Sequence, residues 1–215
     1  MKLLVGIFSF LFLLAGAAFA QRSTLVIGGG LTKDMRSKTP NLWNMGFVLR
    51  AAFIAPTSGK IAFGGSAAYH SRGADGDGWA KHTAELNNFT SYNLSSVSGS
   101  QSVFEIGPSV RVQLSENESK VRPYLHVGIA LLLISDGDVT LKGSYTSPGV
   151  TGTGTITYTS QSLTGFGGQI GIPLIIANAV EIQPMYTLYT AGGDLYHHYT
   201  INIGYALNLG NSENP

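Results

Sequence analysis

Residues 42–54 read Leu42-Trp43-Asn44-Met45-Gly46-Phe47-Val48-Leu49-Arg50-Ala51-Ala52-Phe53-Ile54. Successive side chains of a strand point to opposite faces, so this stretch divides into two sets. Trp43, Met45, Phe47, Leu49, Ala51 and Phe53 fall on one face, and Asn44, Gly46, Val48, Arg50 and Ala52 on the other. Almost all the bulk is on one side, which is the signature of a strand with a single apolar face.

The same period recurs along the chain. Eight runs carry it: Thr24 to Thr32, Leu42 to Ile54, Lys60 to Ser71, Gln101 to Leu114, Val121 to Ser135, Ser162 to Ile176, Ala179 to Thr190 and Tyr196 to Leu209. Each has nine or more residues, enough to cross a bilayer as a tilted strand. The connections alternate in length. Ala55 to Gly59, Ser115 to Lys120 and Ala177-Asn178 are short; Lys33 to Asn41, Arg72 to Ser100 and Asp136 to Gln161 are longer, with Ala191 to Leu195 short for its group. Tight turns on one side and long loops on the other are the habit of membrane barrels.

Residues before the first run read as a secretory signal: Met1-Lys2, an apolar stretch from Leu3 to Leu14, and Ala18-Phe19-Ala20 before Gln21. The expected organisation is a signal peptide at 1–20 forming a helix outside the fold, a barrel domain at 21–209, and a short periplasmic tail at 210–215. Without Lys2, twelve basic residues face twelve acidic ones, which argues against a nucleic-acid partner. The absence of cysteine excludes a disulfide scaffold and thiolate chemistry. Charged residues are 12% of the chain and glycines number 28. That is about half and nearly double their usual shares, so charged side chains cannot cover the surface.

Which face is outside decides between a soluble, lipocalin-like barrel and a membrane one. The apolar sets hold more large side chains than an eight-stranded interior can take. The opposite sets are rich in Gly, Ala, Ser, Thr and Asn, poor in charge, and suit a narrow lumen better than a water-facing surface. The expected fold is therefore all-β: a closed, eight-stranded, antiparallel up-and-down transmembrane β-barrel.

Four stretches carry a family resemblance: Ile27-Gly28-Gly29-Gly30-Leu31; Arg122-Pro123-Tyr124 to Gly128; Gly165-Phe166-Gly167-Gly168-Gln169-Ile170-Gly171; and Ile201 to Leu209. In these the chain resembles the small outer-membrane barrels of the OmpA and OmpX type. The resemblance implies insertion by the outer-membrane assembly machinery. The sequence departs from members that end on an aromatic residue, since Gly210 to Pro215 follows Leu209, and that tail is too short for an appended peptidoglycan-binding domain. The expected partners are outer-membrane lipid, lipopolysaccharide and the assembly machinery, and the expected state is a monomer.

On the inward set stand Arg50, His70, Glu105, Arg111, Arg122, His126, Gln169, Glu181 and Gln183. Charges in a narrow lumen must be paired or solvated, so these predict a polar network. Counted from the turns, His70 and Glu105 fall at similar heights on neighbouring strands, while Arg111, Arg122 and Glu181 group near the periplasmic end. Trp43, Tyr69, Phe104 and Tyr199 toward the loop end, and Phe53 and Tyr205 toward the turn end, read as interfacial aromatics. The plainer alternative is that aromatic residues simply favour strands.

Other chemistries leave weaker traces. A gated ion path conflicts with a filled eight-stranded lumen. His197 and His198 beside Asp194 would suit a lipid-modifying enzyme only if a nucleophile and an orienting group converged on them. Asp75-Gly76-Asp77 and Asp136-Gly137-Asp138 look like calcium fragments but lack the full ligand pattern and match ordinary turns. Asn88, Asn93 and Asn117 are sequons of no expected consequence in a bacterial setting. The sequence implies no cofactor, no metal and no catalytic set. Within Asp136 to Gln161, Val139, Leu141 and Tyr145 alternate with polar residues, Ser147 to Val150 reads as a turn, and Thr151 to Ser160 alternates again. This predicts a protruding hairpin that continues the fifth and sixth strands and could pair with a protein partner by strand addition; a flexible loop is the alternative.

Overall fold

The computed structural model describes residues 23–36, 41–57, 59–115 and 119–209. The expected signal peptide and tail lie outside the described residues. In chain order the elements are β1 (Thr24–Arg36), β2 (Gly46–Pro56), β3 (Ile61–Gly73), α1 (Gly76–Leu86), β4 (Ser91–Ser98), β5 (Ser100–Gln113), β6 (Val121–Asp136), β7 (Val139–Ser147), β8 (Val150–Tyr158), β9 (Gln161–Gly171), β10 (Leu174–Ile176), β11 (Val180–Ala191) and β12 (Asp194–Asn208).

Antiparallel pairing runs β11-β12-β1-β2-β3-β5-β6-β9, and β9 pairs back to β11. The ring closes through β1 and β12, which stay in register from Thr24↔Asn208 to Arg36↔Tyr196. Closure leaves no strand edge in the barrel wall, and the expected eight-stranded barrel is borne out. At this seam Gly30 is obligatory for space: a Cβ there would lie 1.8 Å from Ile201 O. Between β11 and β12 the chain reverses through Gly192 and Gly193, at φ +58° and +90°, the left-handed pair that a two-residue hairpin turn requires.

Alternation along β12 settles inside from outside. Ile201, Ile203 and Tyr205 are 58%, 59% and 57% exposed, whereas Thr200 and Asn202 between them are 3% and 5% exposed. Leu49, Phe63, Ile129, Leu133, Phe166 and Ile170 repeat the exposed apolar pattern around the wall. A belt of this kind in water would exceed by far the apolar patch a soluble monomer tolerates. In lipid it is the solvated surface, because closed barrels satisfy their backbone internally.

Two differences from the sequence reading have plain causes. The run expected to continue unbroken from Ser162 to Ile176 is split into β9 and β10 at Ile172-Pro173, since proline brings no N–H to the ladder. Stave continuity survives because Tyr124 N donates to Pro173 O at 2.8 Å, and β10 pairs with both β6 and β11. The connection expected as a loop from Arg72 to Ser100 instead contains α1 and β4. Asp75 caps α1, its Oδ1 accepting from Gly78 N at 2.9 Å, which satisfies one of the orphan donors of a helix start.

These elements build a second, smaller structure above the barrel. β4, β7 and β8 form a separate three-stranded sheet in that order, so the hairpin of β7 and β8 receives a third strand on one edge. Gly137 marks the break from the barrel wall, its N–H donating to Ser100 O at 2.8 Å. The cap has its own core of Leu42, Trp43, Trp79, Tyr92, Val139 and Leu141. Trp43 and Trp79 meet edge to face at 5.8 Å, an arrangement worth about 0.5–1.5 kcal/mol beyond the buried area.

Candidate functional site: a crossed polar lumen beneath the cap

The lumen-facing side chains stack in tiers set by strand register. Nearest the cap, Arg72 on β3 donates from Nη1 to Gln101 Oε1 on β5 at 2.8 Å and from Nη2 to Thr32 Oγ1 on β1 at 2.9 Å, and lies 3.7 Å from Asp34 Oδ1. Tyr189 on β11 donates to the same Asp34 oxygen at 3.3 Å. Gln101 in turn donates to Asp136 Oδ1 at 2.8 Å.

One tier down, Glu105 on β5 accepts from Gln169 Nε2 on β9 at 2.5 Å. Its other oxygen, Oε2, faces His198 Nε2 on β12 at 3.2 Å and His70 Nε2 on β3 at 4.0 Å. The two imidazole rings are 4.9 Å apart between centroids. Lower still, Arg111 on β5 grips Glu181 on β11 with two hydrogen bonds, at 2.5 and 3.1 Å, and Arg50 on β2 approaches the same carboxylate at 3.7 Å. An apolar plug of Val26, Ala52, Ile54, Ala62 and Ala206 packs inside the wall near the turn end.

These contacts close the lumen. β5 and β12 stand four staves apart in the eight-stave ring, so the 3.2 Å approach of His198 to Glu105 spans a full diameter. Glu181 on β11 likewise ties to β2 and β5, each three staves away. Among the fully buried charges, Arg50, Arg72 and Arg111 match Asp34, Glu105 and Glu181, so the interior is balanced when its histidines are neutral. Burial of such charges in low dielectric is costly unless they are paired and hydrogen-bonded, as Arg111 and Glu181 are.

The structure places Arg50, His70, Glu105, Arg111, His126, Gln169, Glu181 and Gln183 inside the barrel, all buried. Arg122 is elsewhere: it is half-buried at the turn end and donates to Asn178 Oδ1, because its strand has already reached the rim where β6 meets β10. Tyr69, Phe104, Tyr199 and Tyr205 lie exposed on the outer wall, and Phe53 is half-buried. Trp43 is a correction. At 2% exposure it is no membrane-interface residue, since β2 begins only at Gly46 and the chain before it turns into the cap, bridging to Ala74.

Sequence reasoning passed over Asp34, Arg72 and His198 as members of the network. The first two lay just past the expected strand ends at Thr32 and Ser71. Extending the alternation by one step, from Thr32 to Asp34 and from His70 to Arg72, would have found them. His198 shares the parity of Thr200 and Asn202, although its adjacency in sequence groups it with His197 and Asp194. That grouping does not form: His197 turns outward to Tyr186 and Asp194 is exposed. Both acidic triplets are structural. Asp75 caps α1, Asp136 accepts from Gln101, and Asp138 Oδ1 accepts from Ser160 N at 2.7 Å.

No protein-family model and no curated protein matches the sequence. Solved structures do. Ail, the attachment invasion locus protein of Yersinia pestis, aligns with a TM-score of 0.50 at 13% identity, over 87% of this chain and 99% of that one. Neisserial surface protein A aligns at 0.46 and 14% identity, over 86% and 96%. The outer-membrane enzyme PagL aligns at 0.44 and 13% identity, over 85% and 97%. At such identities the likeness is one of fold.

Proposed function

We propose that this chain, built on the fold of the small eight-stranded outer-membrane β-barrels, spans the bacterial outer membrane as a monomer and works by what its cap presents outside the cell. On this reading the barrel is an anchor, neither a porin nor an enzyme. The assembly machinery inserts it, and lipid and lipopolysaccharide surround its apolar belt. The observation that carries the reading is the pairing of a cap that has its own core with a lumen crossed at two levels by charged contacts. A barrel built for conduction would leave a path, and one built for catalysis would gather its reactive groups on an accessible face.

The part of the cap best suited to a protein partner is the outer edge of β8. β7 is flanked on both sides, by β4 and β8, whereas β8 has a single neighbour among the described residues. The turn between Ser147 and Val150 makes those two a hydrogen-bonded pair, so the alternating Thr151, Thr153, Thr155 and Thr157 direct their backbone groups away from β7. An extended segment of another protein could add there.

The test has two arms. Planar bilayers holding the refolded protein should show no stepwise conductance, and regular channel openings would overturn the anchor reading. A photoreactive side chain at Thr155 should cross-link a partner on intact cells, and Thr155→Pro should abolish that product while the barrel stays folded. Cross-linking unchanged by proline would remove β8 as the binding edge.

A further inference from the structure

Of the three carboxylates buried among the described residues, Glu105 is the one with no arginine within 4 Å. Asp34 lies against Arg72, and Glu181 is held by Arg111 and Arg50. Within 4 Å of the Glu105 carboxylate, the basic groups among the described residues are the two imidazoles of His70 and His198. All three side chains are buried to within 2% exposure, out of reach of bulk water.

Their unmet bonding converges. Glu105 Oε2, His70 Nε2 and His198 Nε2 are each buried without a hydrogen-bond partner, even though His198 Nε2 sits only 3.2 Å from the carboxylate oxygen. An orphaned polar atom in such a place is costly, and three facing one point call for a shared occupant. Behind them, two of the three groups are anchored from the far side. His70 Nδ1 lies 3.2 Å from Thr32 Oγ1, and Glu105 Oε1 accepts from Gln169 at 2.5 Å. A proton on His70 Nδ1, given to Thr32, leaves Nε2 as a lone-pair donor. Anchoring of this sort is what orients metal ligands.

We propose that His70, Glu105 and His198 form a binding site for a divalent transition-metal ion of the zinc class. Two imidazoles and one carboxylate suit ions of borderline softness, whereas calcium and magnesium ask for more oxygens than this tier holds. The candidate ligand atoms all lie within 4.8 Å of one another. Tetrahedral bonds of about 2.0–2.2 Å put ligand atoms roughly 3.3–3.6 Å apart, so the 3.2 Å His198 to Glu105 spacing already fits, and His70, 4.0 Å from Glu105, closes by no more than about 1.5 Å to meet both partners. Because β12 stands four staves from β5 and three from β3 in the eight-stave ring, the ion would brace the barrel across its lumen. A proton shared between a histidine and Glu105 is the competing occupant.

The test uses the full mature chain, refolded in detergent without a histidine tag and stripped with chelator. Titration with Zn2+ should show one equivalent bound per chain and raise the temperature at which the folded band converts to the unfolded one. Glu105→Gln and His198→Gln should weaken binding roughly tenfold or more, while His197→Gln on the outer wall leaves it unchanged. No binding by the wild type, or wild-type affinity in His198→Gln, overturns the proposal, the first outcome leaving the proton as occupant. If a variant yields no folded band, Cu2+ electron paramagnetic resonance of the wild type decides. Couplings from two bound imidazole nitrogens support the site, and fewer than two overturn it.

Discussion

His197 and His198 are adjacent in sequence and separated by the barrel wall: His197 Nδ1 meets Tyr186 OH at 3.0 Å outside, and His198 Nε2 meets Glu105 Oε2 at 3.2 Å inside. The pleat of β12 alone produces this division. It turns a pair that looks like one polar group into an aromatic-belt residue and a contact across the lumen.

The same division predicts how substitutions on β12 sort by parity. Ile203 stands midway along the outward set, so Ile203→Arg should cost about 2–4 kcal/mol of barrel stability, as charge does on a lipid face. Denaturant titration in lipid vesicles measures it. On a water-facing wall the same change at an exposed site would be nearly neutral.

Glu181 holds two arginines, and its removal leaves both without a carboxylate. Glu181→Ala should destabilise the barrel by about 3–5 kcal/mol, whereas Arg50→Met and Arg111→Met combined with Glu181→Leu should lose much less, because neither arginine is then left as an unpaired buried charge. The gel shift between unheated and heated samples, followed against urea, compares them directly.

Trp43 belongs to the cap, and its truncation should be felt there. Trp43→Ala is expected to cost about 3–5 kcal/mol within the cap core. Added protease should then cut between Ala74 and Gly99 in intact cells while the barrel keeps its heat-dependent mobility. Loss of the barrel with an uncut cap would contradict this placement.

Asp75 works through a backbone N–H. Asp75→Ala should lower the stability of α1 by about 1 kcal/mol, seen as faster hydrogen exchange in residues 76–86. Calcium chelation should leave the wild-type cap unchanged, since Asp75 and Asp138 already accept from Gly78 and Ser160.

Period-two alternation made the barrel legible because a lipid-facing wall permits little else: every second residue meets hydrocarbon and the next meets a narrow interior. The failures cluster where that constraint lapses. Parity puts Trp43 on a face that ends at Gly46, and Arg122 in a lumen that opens at the rim. The helix and β4 went unread because the cap buries few large side chains from residues 72–100, chiefly Trp79 and Tyr92, too sparse a signal to show as a period.

The eight staves of the barrel, their closed ring, and which of two faces each wall residue occupies were legible in the sequence alone, since parity is local and each stave carries it independently. Tertiary structure alone decided who meets whom inside. Glu105 is 93 positions from His198 and 35 from His70, and their convergence depends on shear, stagger and closure of the whole ring. No local pattern encodes those. The folding of the cap was decided in the same way, because β4 becomes a strand by pairing with β7, a partner that only the finished barrel brings alongside.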